Sequence, residues 1–139
     1  MATKKELVER LSQVPLFHRC TMRDLRTVAR HLETASVSAG QTIVSEGEHG
    51  ETFFLVLDGT LSVEAVGQET VLLGPGQHFG ELALLDPGPR SATVTSVSDV
   101  ELAILGVRMF RVLLRDMPQI SSGMMASLAS QLRTARLGS

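Results

Sequence analysis

Tryptophan and tyrosine are absent from this 139-residue chain, and cysteine occurs once, at Cys20. A single thiol excludes an internal disulfide framework and a thiolate metal centre, and leaves Cys20 the role of a small buried apolar residue. Charge of one sign is also lacking: thirteen Lys and Arg face fifteen Asp and Glu, for a formal charge of −2. That balance offers no surplus to hold a nucleic-acid backbone, so nucleic-acid binding by this segment is not expected. No long hydrophobic run exists at the start, where MATKKELVERL interrupts its apolar residues with charges. A signal peptide and a membrane span are thereby excluded there, and a cytoplasmic location without membrane contact is expected. His18, His31, His49 and His78 show no metal-ligand spacing, so no metal site is expected. No GxSxG elbow, no Walker loop and no carboxylate pair with a plausible base occurs, and Ser91 has no evident activating histidine; enzymatic activity is not expected.

What is present is the composition of a soluble globular protein, 43% apolar and 20% charged, in a length that suits one domain over 1–139. Leu7, Val8 and Leu11 recur at helical spacing over 4–13, and Pro15 ends that run. Thr21 with Asp24 resembles a shortened capping box, and Met22, Leu25, Val28, Ala29 and Leu32 share one face of a second helix that should run to about Glu33. From there the pattern becomes short apolar runs: 42–44, 52–57, 61–66, 71–73, 92–97 and 100–105. Gly40, Gly47, Gly50, Gly59, Gly67, Gly74 and Gly76 fall between them, as turns require. Many short strands with frequent turns imply a small sandwich or barrel. Past Gly106, Phe110, Leu113 and Leu114 mark a helical turn or two. Pro118 then suits a helix start ahead of an Ile120, Met124, Leu128, Leu132 stripe.

One stretch breaks the strand rhythm. FGELALLDPGPRSATV, residues 79–94, resembles the phosphate-binding cassette of the cyclic-nucleotide-binding domain family. The resemblance extends over roughly 14–136, through VPLF at 14–17 and the glycine-punctuated GQTIVSEGEHGETFFLVLDGTLSVE at 40–64. It implies an α+β fold: an antiparallel β jelly-roll barrel of about eight strands, with N-terminal helices, a short cassette helix and a C-terminal helical pair.

The ligand's chemistry supports the same residues independently. A cyclic monophosphate presents one negative charge, a ribose hydroxyl and a planar purine. Arg90 offers a planar fork of donors for the phosphate oxygens. The amides of a short turn over 81–85 can share the anion's charge, with Gly80 allowing close approach. Glu81, a carboxylate beside a proposed anion, needs a compensating task, and accepting a ribose hydroxyl proton is one. Residue by residue, the resemblance places Gly80 and Glu81 on the ribose side, Leu82 beside them, Ala83 at a phosphate amide contact, Arg90 on the phosphate, and Ser91 and Ala92 directly after it. Singly, each has a plainer role: Arg90 a surface cation, Glu81 its ion-pair partner, Gly80 a turn residue. Their joint occurrence, with the upstream glycine strands, points to the ligand. Serine rather than threonine after the arginine implies cyclic AMP over cyclic GMP in this family. His78, two positions before Gly80, is a surface or core residue that could also tune the pocket's charge.

With Phe110 the last aromatic, stacking from the final helix is excluded. Met124, Met125, Leu128, Leu132, Arg133 and Arg136 are candidates to cover the base, by dispersion or by a guanidinium laid over it; core packing or a dimer seam would use the same residues. The expected function is a regulatory module, not an enzyme and without a cofactor, that binds a cyclic nucleotide and passes the event through its C-terminal helix to a second copy or an effector domain. The alternatives are a dimerisation scaffold with an altered or empty pocket, or the sensor fragment of a larger transcription regulator, channel or enzyme.

Overall fold

In the computed structural model the described residues are 3–138, with side chains described as far as Ala135. They divide into two compact units: Leu32–Val107, and a helical unit formed by the residues up to His31 with those from Arg108 onward. Among the described residues no helix is long and apolar enough to cross a membrane.

In the helical unit, α1 (Lys4–Ser12) starts where the Thr3 hydroxyl accepts the Glu6 amide. A 3₁₀ turn follows at Pro15–Phe17. The capping expectation at Thr21 holds: its hydroxyl accepts the Asp24 amide at 3.1 Å and opens α2 (Met22–Arg30). That helix stops earlier than its apolar spacing suggested. Leu32 continues the periodicity, but the chain is already turning into β1 (Glu33–Val37), a strand the sequence reading missed. Its polar and β-branched residues, ETASV, are paid for by pairing with β10 rather than by helical spacing. The C-terminal pair is α4 (Val107–Asp116) and α5 (Pro118–Gly138). The α5 stripe is split: Ile120 and Met124 are buried, Leu128 is half-buried, and Leu132 is 69% exposed. Gly123 lets α5 lie against the segment before α2. A Cβ there would stand 3.0 Å from Cys20 Sγ and 3.2 Å from the Arg19 carbonyl. Ser127 Oγ accepts the Arg19 amide at 2.9 Å and donates to the Gly123 carbonyl.

The second unit contains β1 and β2 (Thr42–Val44), β3 (His49–Gly50), β4 (Thr52–Asp58), β5 (Leu61–Glu64), β6 (Val71–Leu73), β7 (His78–Phe79), β8 (Gly88–Pro89), β9 (Thr93–Ser96) and β10 (Val100–Gly106). Eight of these form two four-stranded antiparallel sheets, in the orders β1-β10-β4-β7 and β2-β9-β5-β6, the double-sheet arrangement of a jelly roll. The remaining two, β3 and β8, pair only with each other. Phe54, Val56, Leu61, Val94, Val100 and Leu102 are buried together between the strands, with Phe79 and Ile104 packed against them. Phe53 and Leu55, on the other face of β4, are also fully buried. That strand therefore reads as a continuous apolar run rather than an alternation. The cassette turn, α3 (Leu82–Leu85), lies between β7 and β8. Its Leu84 is buried, whereas Leu82 and Leu85 are 63% and 40% exposed.

Candidate functional site

The Arg90 backbone is held before its side chain is considered. In the β3–β8 ribbon, His49 pairs with Pro89 and Gly50 with Gly88. Beyond it the Arg90 amide donates to the Glu48 carbonyl at 2.7 Å, and the Arg90 carbonyl accepts from Gly47 at 2.8 Å. From this clip the guanidinium reaches inward. Its Nη2 donates to the Thr52 carbonyl at 3.0 Å, and its Cζ lies 5.7 Å from the centre of the Phe54 ring. Phe54 is in turn stacked on Phe79 at 4.6 Å. Burial pulls the guanidinium below its ordinary range, but arginine stays charged at any physiological pH.

Two glycines make room for it. A Cβ on Gly50 would fall among Nε, Cζ and Cδ of Arg90. The residue serves the approach of a side chain, not a turn. Gly80 has φ of +81°, and a Cβ there would come within 2.6 Å of the Thr52 carbonyl and 2.7 Å of Arg90 Nη1. Only glycine meets both demands at that position without strain.

Glu81 opens α3. Its Oε2 accepts from His78 Nδ1 at 2.8 Å, with both side chains about three-quarters buried. Burial pushes the Glu81 carboxyl up, but the His78 hydrogen bond, its own backbone amide and the His78 charge outweigh that and hold it below the usual carboxylate value. The Ala83 amide donates to the Gly80 carbonyl at 3.1 Å, so it is committed to the turn in this structure.

A cavity of about 320 Å³ gathers Gly80, Glu81, Leu82, Ala83, Arg90 and Ser91, and adds Asp86, Gly88 and Pro89. Six of the seven expected contact residues thus share one space; Ala92 does not line it. Arg90 also walls a neighbouring 340 Å³ cavity lined by Glu48, Gly50, Glu51, Thr52 and Phe54 among others. Volumes of this order suit a small-molecule ligand. Of the residues expected to cover a base, Met124 is buried, Leu128 half-buried, and Met125, Leu132 and Arg133 exposed. The Arg136 side chain lies outside the described residues.

Sequence reasoning missed the approach of Arg90 to Gly50 and the hydrogen bond between His78 and Glu81. It also missed the distribution of charge. Arg90 is the one Lys or Arg between Leu32 and Val107, where eleven of the fifteen acids lie. That signal was legible in the order of residues and hidden in their total.

Comparison with known proteins agrees with this geometry. A family model described as the cyclic nucleotide-binding domain matches residues 34–117. A cyclic AMP receptor protein of Thermus thermophilus is 34% identical over 128 residues, 88% of this chain and 59% of that protein. Among solved structures, the N-terminal domain of a transcriptional regulator from Streptomyces coelicolor A3(2) is similar at TM-score 0.82 and 27% identity, covering 94% of both chains. The regulatory domain of Toxoplasma gondii PKA, solved with cAMP, is similar at TM-score 0.69 and 37% identity, covering 81% of this chain and 45% of that one. The chain spans less than two thirds of the length of the first curated relatives it matches. Since the matched segment makes up more than half of its residues, the chain belongs to the cyclic nucleotide-binding domain family.

Proposed function

We propose that this chain is a regulatory module that binds cyclic AMP, with cyclic GMP the weaker ligand, and does no chemistry on it. The observation that carries the reading is the isolation of Arg90. It is the single Lys or Arg of its unit, clipped by backbone hydrogen bonds and set in a ligand-sized cavity with Glu81 and Ser91. In this reading Arg90 pairs with the cyclic phosphate, Glu81 accepts the ribose 2′-hydroxyl, Gly80, Leu82 and Ala83 line the sugar–phosphate side, and Ser91 and Ala92 follow toward the base. The names of the Thermus and Toxoplasma relatives support cyclic AMP.

Output is assigned to the C-terminal helices. The chain leaves β10 at Gly106 and enters α4 at Val107 with no residue between, and α5 carries exposed Met125 and Leu132, which suit a second copy or an effector domain. Only a difference in ligand affinity between two helix arrangements can drive such a response.

The test is the unfolding midpoint with and without cyclic AMP, cyclic GMP and 5′-AMP. At ligand about a hundredfold above Kd, linkage gives about 2.7 kcal/mol, a rise of several degrees. A rise with cyclic AMP exceeding that with cyclic GMP, and none with 5′-AMP, is expected; no rise with either cyclic nucleotide overturns the reading.

A further inference from the structure

The proposed ligand contacts give no role to His78, the hydrogen-bond partner of Glu81. His78 is fixed by the sheet, since β7 pairs it opposite Leu55 of β4, and its ring lies 6.1 Å from that of Phe53. Across the positive-φ Gly80 it meets Glu81, Nδ1 to Oε2 at 2.8 Å. An ionised carboxylate only accepts, so Nδ1 carries the proton of this hydrogen bond. A glutamate side chain has three rotors, and ordering such a chain on binding weakens affinity. Here a rigid strand residue has already done so. The carboxylate accepts from His78 at Oε2 and from its own backbone amide, and its two oxygens keep acceptor capacity for a ligand hydroxyl.

We propose that His78 is a positioning residue for ribose recognition: by holding Oε2 of Glu81 it fixes the carboxylate that accepts the 2′-hydroxyl, and so sets the discrimination between ribose and 2′-deoxyribose cyclic nucleotides. This rests on Glu81 being the ribose acceptor, as the functional reading has it. The role differs from a structural one because its effect falls on one ligand hydroxyl.

The experiment is calorimetric titration of the full chain with cyclic AMP and with 2′-deoxy cyclic AMP. The wild type is compared with His78→Phe, which keeps a ring beside Phe53 and removes the donor, and with His78→Asn, whose side-chain amide places a donor near the Nδ1 position. The wild type prefers cyclic AMP. His78→Phe narrows that preference by about three- to tenfold, the effect of freeing one side chain, and His78→Asn restores most of it. Equal weakening toward both ligands, or an unchanged preference, in folded His78→Phe overturns the proposal. If His78→Phe does not fold, failure of folded His78→Asn to retain the wild-type preference overturns it. The wild-type arm alone tests the parent reading: no binding of cyclic AMP refutes that reading, while binding without a 2′-hydroxyl preference refutes the role of Glu81 and with it that of His78.

Discussion

Replacing Arg90 by alanine separates the site from the fold. The guanidinium's structural work is limited: one hydrogen bond to the Thr52 carbonyl and one ring contact with Phe54, on a side chain that is partly exposed. Their loss should cost about 1–2 kcal/mol of stability, a fall of roughly 3–10 °C in unfolding midpoint for a chain this size. For binding the loss is larger. Two charge-assisted hydrogen bonds to a phosphate contribute about 1.5–3 kcal/mol each, so Arg90→Ala should weaken cyclic AMP by about 10²–10⁴-fold at 1.4 kcal/mol per decade. Arg90→Lys keeps the charge and loses the fork, and should fall between, at about ten- to a hundredfold. The assay is equilibrium titration at fixed salt on protein whose ligand-free midpoint shows that it folds. A folded Arg90→Ala with affinity within about threefold of wild type would refute the assignment.

Gly50→Val pushes the guanidinium off its place without imposing a positive φ, so it should lower cyclic AMP affinity at least about tenfold while the midpoint moves little; unchanged affinity would mean that this Arg90 pose is not the binding one. Gly123→Leu overpacks α5 against Cys20 and the Arg19 carbonyl and should cost about 1–3 kcal/mol in urea denaturation, with a neutral result showing that the contact yields freely. Cys20, pushed up to about 11 by burial and by Asp24, should alkylate slowly at neutral pH. Because its unfolded thiol ionises first, stability should decline as pH rises from about 9 toward 11, a decline that Cys20→Ala lacks. Asp86 lines the same cavity as Arg90, so Asp86→Asn should narrow the preference for cyclic AMP over the more highly charged 5′-AMP by about fivefold, an interaction on the order of 1 kcal/mol, read from paired titrations.

Strands 42–44 and 71–73 lie where their apolar runs and glycines place them, because each is bounded by turns that no helix tolerates. The helix over 22–30 was legible from its cap and face, but not its end. Leu32 fits the helical period as well as it fits the approach to a strand, and only the pairing of β1 with β10 decides between them. The two-residue strands β3, β7 and β8 carry no period to detect; they exist through their partners. Within the candidate site, Glu81 and Arg90 share one cavity, and they could be singled out in the sequence because both lie in the contiguous stretch 79–94 that resembles the family's cassette. Gly50 was not, since it lies forty positions before the side chain it accommodates, and its lack of a Cβ has meaning only once the β3–β8 ribbon has closed.

The formal charge of −2 conceals the feature that bears most on ligand choice. Twelve of the thirteen Lys and Arg residues lie outside Leu32–Val107, with four acids for company. Exclusion of a polyanionic partner on net charge therefore describes the strand-rich unit and not the helical one. Inside Leu32–Val107 the balance is one guanidinium against eleven carboxylates. An anion entering this unit gains the attraction of a permanent cation only where Arg90 can reach it, and meets repulsion from Glu81 and Asp86 on the walls of the same cavity. A cyclic phosphodiester brings one negative charge, which a single fork can satisfy. A phosphomonoester brings nearly two at neutral pH, and no second Lys or Arg lies in the unit to receive the other. In the proposed reading, scarcity of Lys and Arg around Arg90 would favour the cyclic ligand by penalising its linear counterpart, a selectivity that added cations would erode even as they strengthened binding.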